Sequence, residues 1–262
     1  MLGLGNSMTS GSSSSWSPED VANLTLWLNV NKNIEADQNN ANASLSPVHS
    51  SNSGTMDDLD QISKWGANGS TTINAIQTTQ ADKPRWDTNA EYFGGLHFQL
   101  AEKYMDLDTQ INCTGACSFV FRLKATDLNA VRAVMGSTNT EFLHFHSNAQ
   151  LRIKVDNNQV NFTEASETFL VSKWYVIILV RNSSDEWTAY VRVDGAGGAE
   201  KVWGDADQAQ AGTFTVSNIG CKANDSDNFK GFMKDVLIYN GTALSSVERE
   251  EMYNYLLQTN AY

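Results

Sequence analysis

Proline and cysteine are scarce in this sequence. Among 262 residues there are 3 prolines and 3 cysteines, and an odd cysteine count argues against a framework of paired disulfides. A chain of this length buries about 70–75% of its unfolded surface on folding, which is enough for one large core without covalent cross-links. We therefore expect one globular domain whose cysteines remain thiols.

Two of the cysteines, Cys113 and Cys117, lie close together, whereas Cys221 is far along the chain. The pair could close a short loop or supply two metal ligands. However, no second Cys/His pair lies at the spacing of a recognised zinc site. Buried, unreactive thiols are therefore the expected state of all three.

Basic residues and long apolar runs are scarce as well. There are 18 Lys and Arg against 30 Asp and Glu, a formal net charge of −12. Such a charge repels the phosphates of nucleic acids and of anionic membranes, so neither is an expected partner. No apolar run approaches the roughly 20 residues that span a bilayer, and no leader-like segment begins the chain. We expect a soluble protein made without a cleaved leader.

What the sequence does contain is a series of short alternating apolar runs separated by turn residues, the pattern of antiparallel strands. The strongest two, at 174–180 and 187–193, are joined by a polar turn and predict a hairpin. The others lie at 24–30, 96–98, 104–107, 118–125, 131–135, 142–145, 151–155, 160–162 and 214–219. About a dozen strands require two packed sheets, so we predict an all-β antiparallel sandwich.

The last quarter of the chain predicts a strand followed by a helix. Residues 229–239 become apolar on both alternating faces, which is typical of a strand covered on both sides. Ser245 and Glu248 have the spacing of a capping box and start a helix over 245–257. Its apolar positions recur every four residues, as at Met252 and Leu256, so the helix is expected to cover a face of the β-core.

The N-terminal 15 residues have the Ser- and Gly-rich composition of a linker. We therefore divide the chain into a flexible arm at 1–15 and a β domain at 16–262. Ser17 and Pro18 predict a capped helical turn at the start of the domain. An arm of this kind is expected to contact a neighbouring subunit.

Residues 31–74 are rich in Asn, Ser, Asp and Gly and contain few apolar residues. This composition predicts a long irregular segment, of a kind that is usually functional or mobile. Trp65 is its one large apolar anchor.

Several motifs follow one another in a fixed order along residues 16–257. They are Trp16, Pro18 and Leu26-Trp27-Leu28; Trp65, Asn68-Gly69, Gln77, Gln80, Pro84 and Trp86; Trp174-Tyr175-Val176 through Tyr190 to Asp194-Gly195; and Gly231, Ile238-Tyr239-Asn240, Leu244-Ser245 and Glu248-Arg249. This order resembles the concanavalin A-like, laminin-G-like jelly roll of virion proteins in tailed bacteriophages. The resemblance implies a jelly roll with a short C-terminal helix, in a virion protein made in the host cytoplasm.

Two positions depart from the pattern that the chain resembles. Asn29 and the turn at 66–69 stand where that family often carries aspartates, so we predict no cofactor and leave calcium as an open alternative. The opening residues 1–7 resemble the start of structural proteins in marine tailed phages. That second resemblance also favours a virion setting.

The loop at 222–228 and a tryptophan supply the candidate ligand-binding residues. Asn224, Asp225 and Asp227 offer oxygen ligands that suit calcium or sugar hydroxyls, although the same residues are also typical of an ordinary turn. Trp203, beside a Gly-Asp turn, is predicted to be exposed and to stack on a sugar ring, whereas tryptophans inside strands are expected in the core.

His144 and His146 flank Phe145, so both imidazoles are expected to project from one face of a strand. With Glu141 as a third ligand they could bind a metal. Alternation of His and Phe is equally typical of a half-buried sheet face, and we predict no metal site.

Paired carboxylates for catalysis are missing from the sequence pattern. Retaining glycosidases need two of them about 5–5.5 Å apart. Asp106 and Asp108 are the one alternating acidic pair on a predicted strand, the acidic cluster at 57–60 lies in the polar segment, and Glu164 and Glu167 fall outside the strand period. We therefore expect a non-enzymatic protein, and a laminarinase-like hydrolase is the weakest alternative.

The resemblance and the missing catalytic pair together imply an outward-facing structural protein on the capsid or tail of a phage, with weak affinity for glycans. The arm at 1–15 is expected to contact other virion proteins, and the protein is expected to form a homo-oligomer. The alternative is a lectin or adhesin on a tail fibre, which would bind host polysaccharide through the loops near Trp203 and Asp225.

Overall fold

The computed structural model describes residues 16–30, 32–37, 46–47, 61–87, 95–98, 103–171, 173–194, 198–204, 208–223 and 227–258. The predicted arm at 1–15 lies outside these residues. Within them the chain forms 18 β-strands and one α-helix. Ser17 caps a 3-10 turn at Pro18–Asp20, as predicted.

The strands are short and follow one another closely. They are β1 (Leu24–Asn29), β2 (Ile34–Asp37), β3 (Ser46–Pro47), β4 (Gln61–Trp65), β5 (Ala75–Ile76), β6 (Arg85–Asp87), β7 (Gly95–Phe98), β8 (Met105–Cys113), β9 (Cys117–Ala125), β10 (Arg132–Thr138), β11 (Glu141–Ser147), β12 (Gln150–Val155), β13 (Asn158–Thr163), β14 (Tyr175–Arg181), β15 (Trp187–Val193), β16 (Lys201–Trp203), β17 (Phe214–Ile219) and β18 (Gly231–Asn240). Helix α1 spans Ser246–Gln258.

Antiparallel pairing arranges these strands in two layers. The first sheet has the order β1–β18–β9–β14–β15–β16, and β7 pairs with the start of β18 on the same side as β1. The second sheet has the order β5–β8–β17–β10–β11–β12–β13. Strands β4 and β6 connect the layers, because β4 pairs with β5 and β6, and β6 pairs with β7. The predicted two-sheet sandwich and the predicted hairpin of β14 and β15 are confirmed.

The main core lies between the two sheets. Alternate residues of a strand point to opposite faces, so Phe119 and Phe121 of β9 face inward and are almost fully buried. The second sheet contributes Phe145 and Ile153, also buried. Trp187 stacks on Phe119 with ring centroids 6.1 Å apart. Burial of these large rings supplies most of the driving force for joining the sheets.

Helix α1 covers the outer face of the first sheet. The Ser245 amide donates to Glu248 Oε2 at 2.7 Å and the Glu248 amide to Ser245 Oγ at 3.4 Å, which confirms the predicted capping box. The buried side of the helix and the sheet face beneath it form a second apolar cluster, which includes Trp27, Val120, Val176, Ile178, Leu237, Met252, Tyr253 and Leu256. In this cluster Met252 and Leu256 are fully buried, as their spacing predicts.

Buried charged and polar groups also lie between the first sheet and α1. Arg122 of β9 donates to Asp194 Oδ2 from Nε at 2.9 Å and from Nη2 at 2.7 Å. Its Nη1 donates to the main-chain oxygen of Leu256 at 2.7 Å, which ties the end of α1 to the sheet. Asn29, one of the departures noted above, donates to the buried carboxylate of Asp235.

Strand structure is more extensive than predicted in the polar segment at 31–74. Strands β2 and β4 lie there and pair with each other, so the expectation of a wholly irregular segment is wrong. Ile34 and Ile62 are buried. Because mostly polar residues surround each of them in the sequence, the strands show no clear alternation of apolar and polar residues. Trp65 is fully buried, in agreement with its predicted anchoring role.

All three cysteines are free and buried. Cys113 ends β8 and Cys117 begins β9, so the short turn between them crosses from the second sheet to the first. The neighbouring Cys113 thiol and burial raise the pKa of Cys117. A protonated, buried thiol is a poor nucleophile, in agreement with the expected unreactive thiols.

Of the helices in the described residues, none has the length and apolar character needed to cross a bilayer.

Candidate functional site

Strands β11, β12 and β13 align five polar side chains and one phenylalanine in two rows on the outer face of the second sheet. In one row His144 lies opposite Arg152, which lies opposite Asn161. The other row has the order Phe142, Lys154 and Gln159. Neighbouring strands are about 4.8 Å apart, and same-face residues of one strand about 6.8 Å apart. We call these six residues the outer patch.

Local sequence explains why these side chains share a face. Leu143 and Phe145 of β11 are buried in the main core. Because successive residues of a strand point to opposite faces, Phe142 and His144 lie on the outer face. The turn from β12 to β13 consists of Asp156 and Asn157, with φ values of 46° and 70°. Two left-handed residues form the turn type that matches the twist of a hairpin and sets its register.

His144 lies at the floor of the outer patch with 4% of its surface exposed. Within the part of the chain that the structure describes, neither of its ring nitrogens has a hydrogen-bond partner. Its ring centroid lies 4.7 Å from that of Phe142 and 5.7 Å from that of the exposed His146. Burial, followed by the charge of Arg152, lowers the pKa of His144 to about 3, so the ring is neutral at neutral pH.

Arg152 occupies the centre of the first row. Its Nε donates to Asn161 Oδ1 at 2.7 Å, and its Nη2 to Gln150 Oε1 at 3.2 Å. Both acceptors are neutral amides, and Arg152 has no ion pair with a carboxylate of the described residues. Partial burial lowers the pKa of Arg152, but a guanidinium stays charged in proteins.

Two ammonium groups lie near the ring of Phe142. Lys154 Nζ is 5.7 Å and Lys222 Nζ 5.5 Å from its centroid. Lys222 comes close because Gly136 of β10 has no side chain: a Cβ there would lie 2.6 Å from the Lys222 carbonyl oxygen. Lys222 also forms an ion pair with Asp227. The loop that begins at Lys222 therefore borders the patch.

The predicted ligand-binding residues have different outcomes. Asp227 lies beside the patch, since its main-chain oxygen accepts a hydrogen bond from the Ala133 amide of β10. Asn224 and Asp225 lie outside the described residues. The prediction that Trp203 is exposed is wrong, because Trp203 is 2% exposed and its ring centroid lies 4.3 Å from that of Phe169. Trp203 belongs to strand β16, which turns the indole into the core.

The two histidines share a face, as predicted. The carboxylate of Glu141 accepts hydrogen bonds from Ser137 Oγ at 3.0 Å and from Thr215 Oγ1 at 3.2 Å. In the residues that can be described, no three His, Cys, Asp or Glu side chains are grouped to hold a metal ion. The alternative of a half-buried sheet face fits His144 better.

Asp106 and Asp108 lie on β8 of the same sheet, as the alternation predicts. Asp108 accepts a hydrogen bond from Asn74 Nδ2 at 2.7 Å, and Asp106 accepts one from Asn218. Burial, with a smaller contribution from Asp82, raises the pKa of Asp106. Each of the two carboxylates is therefore held by its own amide partner.

The arrangement of strands and of this face can be compared with known proteins. Residues 101–248, more than half of the chain, match the Laminin_G_3 family model of the concanavalin A-like lectin/glucanases superfamily. The chain belongs to this superfamily. The matched segment includes every strand of the outer patch, and the fold is the predicted concanavalin A-like jelly roll. A search of curated proteins finds no match.

Solved structures show the same fold at low sequence identity. One is a mutant of the GH54 α-L-arabinofuranosidase soaked with 4-nitrophenyl α-L-arabinofuranoside, with a TM-score of 0.60, 8% identity and coverage of 90% of this chain and 62% of that one. Another is Trypanosoma rangeli sialidase with 2,3-difluorosialic acid, with a TM-score of 0.51, 12% identity and coverage of 89% and 33%. This concanavalin A-like chain thus spans less than two thirds of either enzyme.

Sequence reasoning missed the central residues of the outer patch. Arg152 and Lys154 alternate with apolar residues along β12, a pattern that also describes ordinary solvated charges. The usable signal was the turn at Asp156 and Asn157, which predicts a tight hairpin and hence aligned side chains.

Proposed function

We propose that this concanavalin A-like protein is a non-enzymatic structural module of a phage particle that binds glycans through the outer patch. One observation carries the binding proposal: the guanidinium of Arg152 and the side-chain amides of Asn161 and Gln159 lie in register on one sheet face. Convergent donors and acceptors of this kind suit the hydroxyl groups of a sugar.

The non-enzymatic part of the proposal rests on how nearby carboxylates are used. Glycoside hydrolysis needs one acid and one base or nucleophile on either side of the scissile bond. Around the outer patch, Asp227 is paired with Lys222, and Glu141 accepts hydrogen bonds from two hydroxyl groups. These contacts support carboxylates that hold the structure rather than transfer protons.

A glycan array tests the binding proposal. The wild-type protein is expected to bind a defined set of oligosaccharides, and Asn161→Ala to lose that binding. Gln110→Ala is the matched control, because Gln110 is exposed on β8 of the same sheet but outside the patch. Equal binding by all three proteins would overturn the proposal. Release of shorter products from a bound glycan, detected by chromatography, would overturn its non-enzymatic part.

The phage setting is supported by the order of motifs along residues 16–257 and by the opening residues 1–7. We propose that the arm at 1–15 contacts other virion proteins in a homo-oligomeric assembly. Mass spectrometry of purified particles tests this placement. A high copy number per particle is expected for a capsid protein, and a low copy number would favour the tail-fibre adhesin. Absence of the protein from particles would contradict both.

A further inference from the structure

The outer patch is a cationic area on an acidic protein. The whole chain carries a formal charge of −12, yet Arg152 and Lys154 stand next to each other on the outer face of β12, with Lys222 nearby. We infer that the patch selects glycans that carry an anionic group, either a carboxylate or a sulfate ester. The inference rests on the proposed function, because it names the class of glycan bound at the same site.

Arg152 and Lys154 donate hydrogen bonds to neutral acceptors. Five other arginines are paired with carboxylates: Arg122, Arg132, Arg181, Arg192 and Arg249. Arg152 and Lys154 form no ion pair with any carboxylate of the described residues. Among the described residues, Lys154 Nζ donates a hydrogen bond only to the main-chain oxygen of Asn139, at 3.4 Å. Two neighbouring cations with neutral acceptors favour an anion from outside the chain.

The acidic side chains that border the patch have partners of their own. Asp227 is occupied by Lys222, and Glu141 by Ser137 and Thr215. None of these contacts neutralises Arg152 or Lys154. The three cations Arg152, Lys154 and Lys222 therefore outnumber the two carboxylates of Asp227 and Glu141, whereas the whole chain has a formal charge of −12.

One nitrogen of the Arg152 guanidinium is available to a ligand. Nη1 of Arg152 makes no hydrogen bond to the described residues, while Nε and Nη2 are held by Asn161 and Gln150. Those two contacts orient the guanidinium, so Nη1 can donate to an anionic oxygen at little cost in side-chain entropy.

The test is an array that carries neutral and acidic bacterial oligosaccharides together with dextran, carboxymethyl dextran and dextran sulfate. The wild-type protein is expected to bind acidic spots and not dextran, and added salt should weaken that binding. The two derivatised dextrans separate carboxylate from sulfate recognition, since they share one backbone.

The double variant Arg152→Gln/Lys154→Gln is expected to lose about tenfold or more in affinity, because each charge-assisted hydrogen bond is stronger than a neutral one. Lys64→Gln/Lys201→Gln is the control of identical net charge, since it also removes two cations, but from strands outside the patch where each lysine is paired with a carboxylate. Its affinity should stay within about twofold of wild type. Arg152→Lys keeps the charge without the planar fork and should give an intermediate affinity.

The outcomes separate the inference from the proposed function. If neutral glycans bind as well as acidic ones and Asn161→Ala abolishes the binding, the patch is a glycan site but the inference is wrong. Equal losses in the two double variants would also overturn it, since net charge alone would then explain the effect. Binding of no glycan at all would overturn both proposals. Thermal unfolding of each variant shows whether it is folded.

Discussion

The two sheets of the sandwich use charged residues on their outer faces in different ways. On the first sheet the charges lie under or beside α1 and are paired: Arg122 with Asp194, Arg192 with Glu250 and Arg249 with Glu200. On the second sheet Arg152 and Lys154 face neutral acceptors. Charges of the first kind hold two elements together, and charges of the second kind remain available to a ligand.

The contacts of α1 show what pairing contributes. The Arg249 guanidinium lies 3.5 Å from the ring centroid of Tyr190 and binds both oxygens of Glu200. Arg192 lies 4.1 Å from the ring centroid of Tyr253. Stacking of a guanidinium on an aromatic ring combines apolar burial with electrostatic attraction. The helix is therefore anchored along its length by arginines as well as by its apolar side.

The largest expected effect separates the two faces by stability. Arg122→Met should lower the free energy of unfolding by about 3–5 kcal/mol, because it leaves the carboxylates of Asp194 and Asp235 buried without their cation. Arg152→Gln should change it by less than about 0.5 kcal/mol, as for an ordinary surface position. Urea unfolding of both variants measures the difference. Similar losses in the two variants would contradict the comparison.

A smaller effect of opposite sign is expected at the floor of the outer patch. His144→Phe should raise the free energy of unfolding by about 1 kcal/mol, because it removes a buried imidazole whose nitrogens lack partners. The same substitution should change glycan binding little, because both ring nitrogens of His144 are buried out of reach of a ligand. Urea unfolding and the glycan array measure the two effects. A variant that is less stable than wild type would show that the ring is satisfied.

The smallest expected effect is in the pH dependence of stability. The pKa of His144 is lowered to about 3, so the unfolded chain binds more protons there and stability rises with pH up to about 6.5. Burial raises the pKa of Asp235 to about 6, so the folded state binds the extra proton and stability falls between about pH 4 and 6. With rising pH, His144 therefore raises the free energy of unfolding and Asp235 lowers it.

Unfolding of single variants between pH 4 and 7 resolves these two contributions. The gain from His144→Phe should be larger at pH 5 than at pH 7. Replacement of Asp235 by Asn should become less unfavourable, relative to wild type, as the pH rises from 4 to 7. If the stability differences between these variants and wild type do not change with pH, the pKa values of His144 and Asp235 are the same in the folded and unfolded states.

Much of the fold could be predicted from the sequence, because its signals are local. Alternation along 118–125 and 214–219 and the capping box at Ser245 each depend on a few adjacent residues. Strand β5, which has two residues, and strands β2 and β4 are too short or too polar to show a period. Trp203 was misassigned because the turn residues beside it outweighed a three-residue strand.

The candidate site was harder to predict, because it depends on partners that are distant in sequence. Arg122 and Arg152 each alternate with apolar residues in a strand. Arg122 binds a carboxylate 72 residues away, whereas Arg152 binds nearby side-chain amides. Which of the two occurs is decided by the order of strands in the sheets. A single sequence shows that order only through a family resemblance.

The turn at Asp156 and Asn157 constrains how this surface can diversify. Because alternate residues face opposite sides, one inserted residue there would rotate Asn161 and Gln159 toward the interior and bring Val160 to the solvent. The main-chain amide of Thr213 donates to Asp156 Oδ2, which holds the turn from outside the hairpin. Variants with new specificity are therefore expected to arise by exchange of individual side chains, while the length of this hairpin stays constant.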